Sequence, residues 1–479
     1  MIEYTKEVEK LEDTEGKYLK EKLFNIKKNG WLKTKEEDVQ AINKYADEYM
    51  YFLNKCKTQK EAVEVSKDIL IKNGFVDIAE KETLNPGDKI FFVNRERTIY
   101  AAVMGEEPLE DGLRIIAGHI DSPRIDLKQN PLYEDNEFAL FKTQYYGGIK
   151  KYQWTNVPLS MHGLVVKTDG EKIKINIGES DEDPVFTITD LLPHLAQTQM
   201  ERKLREGIQG EELNILVGSI PYKDESISER VKLNVLNILN QKYGITEIDF
   251  TSSEIEFVPA YKAKNVGIDS SMVGGYGQDD RVCSYAALRG ILNVFIPKRT
   301  AVCILTDKEE VGFIGNTGME SRTFDYFVSE LLNKAGQNAP NKLDKVFTNT
   351  KVISADVEAG VDPTFISAYE RNNSAYLGKG ITLTKYGGVR GKSGASEASA
   401  EFVAEIRDLL DKNNIRYQSS QLSKVDQGGG GTIAVVLANR GMDVLDSGVP
   451  LLSMHSPYEI SSKYDVYQAY RAYEAFYNK

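Results

Sequence analysis

The sequence predicts an α/β protein in which a central sheet, mixed but largely parallel, is flanked by helices and interrupted by a smaller β-rich domain. Short apolar segments alternate with helical segments in the first and last parts of the chain, which is typical of a sheet buried between helices. Between residues 131 and 263 the pattern changes to alternating segments such as LVVKTDGEKIKINIGE, which favour half-buried strands. We therefore expect one domain from residues 1–130 and 264–479, with residues 131–263 inserted into it.

The first part of the chain contains helices followed by strands. The segments KTKEEDVQAINKYADEYMYFLNKC and TQKEAVEVSKDILIKNGF repeat apolar residues at intervals of three and four, which predicts two amphipathic helices, the second ending at Gly74. GDKIFFVN and TIYAAVMG, on either side of the polar turn RER, predict two strands, and LRIIAG predicts a third.

After the insert, the alternation of helix and strand returns. The predicted strands are TAVCILT, KVISA and VPLLSM. The predicted helices are RVCSYAALRGILNVF, TFDYFVSELLNKAG, SEASAEFVAEIRDLLDKNN and KYDVYQAYRAYEAFYN. Since these strands are short and apolar throughout, we expect them to be buried on both faces and largely parallel.

Composition excludes several classes of partner. The formal net charge of -12 and the absence of a basic stripe argue against nucleic acid and against anionic membranes. The N-terminus lacks the apolar core of a signal peptide, and no apolar run approaches the length of a membrane span. Three widely spaced cysteines suit a reducing compartment. We therefore expect a cytoplasmic protein that binds neither nucleic acid nor membrane.

Side chains able to bind a metal follow four of the predicted strands. A lone H-x-D triplet, such as the one in GHIDSPR, usually indicates only a strand end and a turn. Here the coincidence recurs, and ligands of open α/β sheets bind beyond the carboxyl ends of the strands. The side chains are His119, the run from Asp307 to Glu310, Asp356 and His455, joined by the pair Asp279–Asp280 before a helix.

Two imidazoles and at least three carboxylates, without thiolates, form a ligand set that suits zinc, manganese or cobalt. One ion would use three of these ligands, whereas five or six ligands suit two ions about 3.5–4 Å apart. The adjacent Glu309 and Glu310 fit the second alternative. In an extended chain their side chains would point apart, so that one could bind metal while the other accepts a proton.

With these residues assembled, the chain resembles the aspartyl aminopeptidase / aminopeptidase I family of dinuclear zinc metallopeptidases. The motifs that carry the resemblance occur in the family's order and cover most of the chain. They are GHIDSPR, GQDDRVCSYAAL, DKEEVGFIGNTG, ISADVEAGVDP and PLLSMHSPYE. The resemblance implies an α/β catalytic domain with a β-rich insert that mediates dimerisation, assembled into a homo-oligomer that is most plausibly a dodecamer.

The family pattern implies a role for each residue of the site. It implies two divalent ions, most plausibly zinc, and a cis peptide bond between Asp279 and Asp280. In the family an asparagine usually follows the bridging aspartate, where this chain has Asp280. The implied roles are terminal metal ligands at His119, Glu310, Asp356 and His455, a bridging ligand at Asp279, a general base at Glu309, and at Asp121 a carboxylate that orients His119.

The implied reaction is hydrolysis of the N-terminal peptide bond of peptides by a water that two metal ions activate, with Glu309 as the general base. One alternative is another dinuclear zinc hydrolase of similar fold, a carboxypeptidase or an acyl-amino-acid deacylase. The other alternative is a catalytically silent scaffold that keeps the metals for structure. The free carboxylate expected at Glu309 speaks against a scaffold.

Candidate substrate-binding residues come from three segments. His194 lies in a proline–histidine–leucine stretch that, in the family, can reach the active site of a neighbouring subunit. Gly429 and Gly430, in DQGGGGTIAVVLA, would let backbone amides approach a substrate closely. Tyr369 and Arg371 are neighbours of Ala368 in a third segment.

The segment around Ala368 bears on the preferred substrate. Aspartyl-specific relatives carry a lysine at the position of Ala368, and that lysine can pair with an acidic side chain of the substrate. Arg371, Lys385 or Lys392 could replace the missing cation. Because the neighbours Phe365, Ile366 and Tyr369 are apolar or aromatic, we expect a preference for neutral or apolar N-terminal residues over acidic ones.

Overall fold

The computed structural model describes residues 15–422 and 424–479. The helices within these ranges are α1 (Glu15–Leu23), α2 (Glu36–Lys55), α3 (Gln59–Lys72), α4 (Gln197–Met200), α5 (Arg230–Tyr243), α6 (Gln278–Leu292), α7 (Thr323–Lys334), α8 (Lys342–Asn349), α9 (Ala400–Lys412), α10 (Ala434–Ala438) and α11 (Lys463–Tyr477). Among the described residues, no helix combines the length and the apolarity needed to cross a bilayer.

The strands fall into three larger sheets and one pair. They are β1 (Val76–Asp77), β2 (Lys89–Asn94), β3 (Thr98–Val103), β4 (Arg114–His119), β5 (Arg124–Asp135), β6 (Phe138–Tyr146), β7 (Leu159–Val166), β8 (Lys172–Ile177), β9 (Thr187–Ile188), β10 (Ile215–Gly218), β11 (Ser253–Pro259), β12 (Lys264–Val266), β13 (Met272–Gly275), β14 (Ala301–Thr306), β15 (Lys351–Ser354), β16 (Glu358–Ala359), β17 (Ile381–Leu383), β18 (Tyr417–Ser419), β19 (Asp443–Asp446), β20 (Pro450–Leu452) and β21 (Glu459–Ser462).

The central sheet has the strand order β1-β2-β3-β14-β4-β15-β19. Strand β3 is antiparallel to both of its neighbours, and the remaining pairs are parallel, so the predicted mixed and largely parallel sheet is confirmed. Successive residues of β4 pack against opposite layers, since Ile116 belongs to one apolar cluster and Ile115 to another. The first cluster includes residues of α2, α3, α6, α9 and α11, and the second includes residues of α7, α8 and α10.

A second sheet, with the order β8-β7-β11-β5-β6-β10-β9, is formed by one continuous stretch of the chain. It has its own apolar cluster, which includes Phe141, Trp154 and Phe257. The predicted domain boundary at residue 131 falls inside β5 (Arg124–Asp135), all of which belongs to this sheet.

One strand near the site does not lie where the sequence suggested. The segment VPLLSM forms β20, and β20 belongs to a five-stranded sheet of order β12-β13-β21-β20-β16 rather than to the central sheet. The expectation that His455 follows a strand of the central sheet is therefore wrong. The reason is that β20 pairs with β21 and β16. The segment that takes the last position of the central sheet is β19.

Candidate metal centre

Three neighbouring strands of the central sheet carry candidate ligands at one edge. Strand β4 ends at His119, β14 ends just before Asp307, and β15 ends two residues before Asp356. Because β4 is parallel to both β14 and β15, the carboxyl ends of all three strands lie side by side. The sheet therefore brings together residues that are far apart in the sequence.

The candidate ligands form two groups that share Asp279. His119, Asp279 and Asp356 form one group and Asp279, Glu310 and His455 form the other, with the ligand atoms of each group within 4.8 Å of one another. The Oδ1 atom of Asp279 lies 3.2 Å from His119 Nε2, and its Oδ2 atom lies 3.0 Å from His455 Nε2. Each oxygen of this one carboxylate thus faces a different imidazole.

The donor set fits divalent metal ions. It consists of imidazole nitrogens and carboxylate oxygens, the ligands that zinc takes in hydrolytic sites. The Oε1 atom of Glu310 is buried and has no hydrogen-bond partner among the described residues. Burial, followed by the nearby charge of Asp279, raises the pKa of Glu310 well above its ordinary value. A cation bound at this position would stabilise the charged form of the Glu310 carboxylate.

Glu309 differs from its neighbour Glu310 in its surroundings. Its Oε2 atom lies 3.9 Å from His119 Nε2, and its carboxylate belongs to neither ligand group within the described part of the chain. Burial raises the pKa of Glu309 to about 7. The side chain is mostly enclosed, with 12% of its surface exposed, and it lines the cavity in front of the ligands.

The two glutamates lie in a turn rather than in extended chain. Residues Glu309–Val311 form a single 3-10 turn that follows Lys308, whose φ is +68°. The expectation of extended chain is therefore wrong, because the backbone N–H groups of both glutamates converge on one acceptor. They donate to the carboxylate of Asp121, Glu309 at 3.1 Å and Glu310 at 3.2 Å. The side chains nevertheless point to different partners, as the sequence suggested.

Asp121 contacts His119 mainly through its backbone. The Nδ1 atom of His119 lies 3.0 Å from the carbonyl oxygen of Asp121 and 3.5 Å from the Oδ1 atom of its carboxylate. Tyr146, in β6 of the second sheet, donates its hydroxyl to the Asp121 carboxylate at 2.7 Å. No sequence pattern indicated Tyr146, because the contact depends on how the second sheet packs against the turn.

Glu459, a buried carboxylate that the sequence interpretation did not single out, supports the ligand group that contains Asp279 and His455. Glu459 accepts backbone N–H groups from Gln278 at 2.6 Å, Asp279 at 3.2 Å and His455 at 2.8 Å. The only sequence signal was its place at the end of the motif PLLSMHSPYE. The Nδ1 atom of His455 lies 2.8 Å from the carbonyl oxygen of Gly148, which fixes the orientation of the ring.

The peptide bond between Asp279 and Asp280 is cis, as expected. Asp279 is the second residue of α6 and has non-helical backbone angles, and its neighbour Asp280 is fully buried. An Oδ2 atom of Asp280 accepts the backbone N–H of His119 at 3.4 Å. Asp280 therefore supports the strand end that carries His119 and does not belong to either ligand group among the described residues.

A cavity of about 500 Å³ opens in front of the ligands. Gly429 and Gly430 are among the residues that line it. His194, Tyr369 and Arg371 are not among the described lining residues. His194 and Arg371 are exposed, and the carbonyl oxygen of Arg371 accepts the hydroxyl of Tyr376 at 3.0 Å. The structure of a single chain thus places two of the five candidate substrate-binding residues at the cavity.

Two adjoining groups of imidazoles and carboxylates at the edge of an α/β sheet define the class of metal-dependent hydrolases. The chain matches the family model of the aminopeptidase I zinc metalloproteases (M18) over residues 52–477. It therefore belongs to the M18 family, and its activity is that of a metal-dependent aminopeptidase.

Relatives match along nearly the whole length. A probable M18 family aminopeptidase 1 from Clostridium acetobutylicum is 48% identical over 95% of this chain and 99% of its own. The crystal structure of an M18 aminopeptidase from Thermotoga maritima is similar with a TM-score of 0.91 at 46% identity, over 94% of this chain and 99% of that chain. The dodecamer of S. cerevisiae mApe1 shares the fold with a TM-score of 0.73 at 21% identity, over 90% of this chain and 96% of that chain.

Proposed function

We propose that this chain hydrolyses the N-terminal peptide bond of peptides with two divalent metal ions and with Glu309 as the general base. The observation that carries the proposal is the position of Asp279, whose two carboxylate oxygens each face a different imidazole and join the two ligand groups. A single ion could occupy only one of the two groups. If it occupied the group of His119 and Asp356, the buried oxygen of Glu310, which has no partner among the described residues, would be left without a cation.

The two ligand groups support a pairing of the terminal ligands. His119 and Asp356 would hold one ion, Glu310 and His455 would hold the other, and Asp279 would bridge them. When bound, two such ions supply Lewis acidity, which polarises a carbonyl group and lowers the pKa of a water molecule. Zinc is the metal of the family.

Glu309 is suited to proton transfer because its carboxylate lies beside the ligands without belonging to their groups among the described residues. It accepts a proton from the attacking water and then delivers that proton to the nitrogen of the leaving amine. Asp121 positions Glu309 for this step by accepting its backbone N–H, and Tyr146 holds Asp121 in place. The proton balance closes within one turnover, since the base ends in its starting form.

The acidity of the cavity supports action at the amino end of a peptide. Carboxylates dominate its polar lining, and a free α-amino group is cationic near neutral pH. Such a group is attracted to carboxylates, whereas a C-terminal carboxylate would be repelled. This favours an aminopeptidase over a carboxypeptidase, which needs a cation for its substrate.

We also propose the domain organisation and the assembly. The inserted domain comprises residues 131–263 together with the preceding residues from Arg124, where β5 begins. The separate apolar core of the second sheet supports this division. The proposed assembly is a large homo-oligomer, a dodecamer. The dodecamer of yeast mApe1, which shares the fold, supports this proposal.

One pair of substrates tests the proposed reaction against the alternatives. The metal-replete enzyme is expected to hydrolyse a leucyl peptide with a free amino group and to leave the N-acetylated form of the same peptide intact. Hydrolysis of the acetylated peptide would favour a deacylase instead. A metal-loaded protein that hydrolyses neither peptide would support the silent scaffold.

A further inference from the structure

Two carboxylates line the cavity without belonging to the metal centre. Glu358 and Asp446 are almost completely buried, with 5% and 8% of their surface exposed. Thr384 connects them, since its hydroxyl donates to Glu358 at 2.8 Å and its backbone N–H donates to the carbonyl oxygen of Asp446 at 2.9 Å. Thr432 donates its hydroxyl to the Asp446 carboxylate at 2.7 Å. We call these four residues the acidic patch.

The acidic patch has acceptor positions that could take further hydrogen-bond donors. A carboxylate offers about four lone-pair sites. The Asp446 carboxylate accepts a hydrogen bond from the hydroxyl of Thr432, which leaves acceptor positions. A donor-rich side chain entering the cavity would therefore find partners.

The described residues that line the cavity provide no lysine or arginine that could neutralise the patch. The lysines of the neighbouring loop, Lys385 and Lys392, face Glu397 at 3.8 Å and 2.9 Å. Neither lysine is among the described residues that line the cavity, so neither takes the place of the lysine that aspartyl-specific relatives carry at the position of Ala368.

The charges of the metal centre do not neutralise the patch either. Two divalent ions would be balanced by the three carboxylates of the ligand groups, Asp279, Glu310 and Asp356, together with the adjacent carboxylate of Glu309. Glu358 and Asp446 are then in excess. Negative charges enclosed by low-dielectric walls give the cavity a potential that attracts cations and repels carboxylates.

Apolar side chains complete the lining beside the patch. Val357, Leu422 and Met454 face the same cavity. The side chains of lysine and arginine combine an apolar stem with a cationic donor group at its end. The cavity offers complementary surfaces for both parts.

We propose that the acidic patch binds the side chain of the substrate's N-terminal residue and selects lysine or arginine. This inference rests on the proposed aminopeptidase function and names its substrate class. It predicts that substrates with a basic N-terminal residue are hydrolysed better than substrates with a neutral one, and that substrates with an acidic N-terminal residue are poor.

The test compares two substrates that differ only in the terminal charge. Lysyl and norleucyl amides have side chains of similar shape, but only the lysyl side chain is cationic. With the metal-replete enzyme, kcat/KM for the lysyl substrate is expected to be at least tenfold higher. Calorimetry with lysinamide and norleucinamide, under conditions that prevent turnover, should show the same order of affinity.

Two variants test whether the acidic patch causes the preference for lysyl substrates. In Asp446→Asn and in Glu358→Gln, the ratio of kcat/KM for lysyl over norleucyl substrates is expected to fall at least tenfold. Glu401→Gln, which removes an exposed carboxylate in α9, is the matched control and should keep the wild-type ratio. Two variants are used because Glu358 lies close to Asp356, whereas Asp446 is more distant in the sequence.

The outcomes separate the two proposals. Equal or better hydrolysis of the norleucyl substrate would overturn the inference and leave the aminopeptidase function intact. A lysyl preference that persists in both variants would show that other groups provide it, and this too would overturn the inference. Failure to hydrolyse any substrate with a free amino group would overturn the proposed function itself.

Discussion

The hydroxyl of Tyr146 donates a 2.7 Å hydrogen bond to the carboxylate of Asp121. That carboxylate also accepts the backbone N–H groups of Glu309 and Glu310. A residue of the second sheet thus supports the turn that presents the proposed base. The metal centre therefore depends on contacts between two sheets with separate cores.

Removing this hydroxyl should slow catalysis without displacing metal. In Tyr146→Phe we expect kcat/KM to fall about tenfold, because a hydrogen bond to a charged acceptor contributes about 1.5–3 kcal/mol. Steady-state kinetics and metal content check this. Tyr145→Phe, an exposed neighbour in the same strand, is the control. Unchanged kinetics in Tyr146→Phe would show that the contact is not needed for catalysis.

The proposed base and the adjacent ligand should respond differently to the same substitution. Glu309→Gln is expected to lower kcat by about 10²–10⁴-fold, the usual contribution of a general base, and to retain both metal ions. Glu310→Gln is expected to weaken metal binding instead. Metal analysis beside single-turnover rates distinguishes the two effects. Full activity in Glu309→Gln would refute its role.

Stability should depend on pH through His162, which links the second sheet to α3. Its Nδ1 atom lies 2.8 Å from Glu61, and its Nε2 atom lies 3.1 Å from Glu179. Burial alone would lower the pKa of His162, but hydrogen bonds with Glu179 and Glu61 raise it from 6.5 to about 9. The stability that the charged ring provides is fully present below about pH 6.5 and is lost as the pH rises through about 9.

The corresponding contribution is about 3 kcal/mol. Denaturant unfolding from pH 6 to 10 should show a loss of stability in the wild type that His162→Gln lacks. Other groups titrate in this range, so the difference between variant and wild type is the relevant quantity. His194→Gln removes an exposed histidine and serves as the control. Parallel pH profiles for the wild type and His162→Gln would contradict the prediction.

Acidic N-terminal residues should be poor substrates. The cavity lacks a lining lysine or arginine among the described residues, so an aspartyl side chain would lose the charge-assisted contact that a cation provides. We expect kcat/KM for a leucyl substrate to exceed that for the matched aspartyl substrate. A tenfold or greater preference for the aspartyl substrate would mean that a cation from elsewhere, such as a neighbouring subunit, reaches the cavity.

The protein should sediment as a large assembly. Exposed apolar side chains of the second sheet's stretch, including Leu191, Leu192 and Leu195 beside His194, offer surface for contacts between subunits. Analytical ultracentrifugation at micromolar concentration checks this. A stable species at the chain mass of 53.8 kDa would contradict the proposed assembly.

Much of the candidate site could be predicted from the sequence because its candidate ligands follow strands. His119, the pair Glu309–Glu310 and Asp356 come just after apolar segments that are recognisable locally. The ends of adjacent parallel strands must meet at one edge of the sheet. The order of the motifs then sufficed to identify the family. The helices α2, α3, α7 and α11 were likewise predicted, since their apolar periodicity is a local property.

Only the tertiary structure decided which groups support the ligands and line the cavity. Glu459 meets Asp279 from 180 positions away, and Tyr146 reaches Asp121 from a different sheet. Thr384 joins Glu358 to Asp446, since its hydroxyl donates to the Glu358 carboxylate and its backbone N–H donates to the carbonyl oxygen of Asp446. Such contacts leave no periodic signal, because they depend on how separate layers pack and not on the repeat of a single helix or strand.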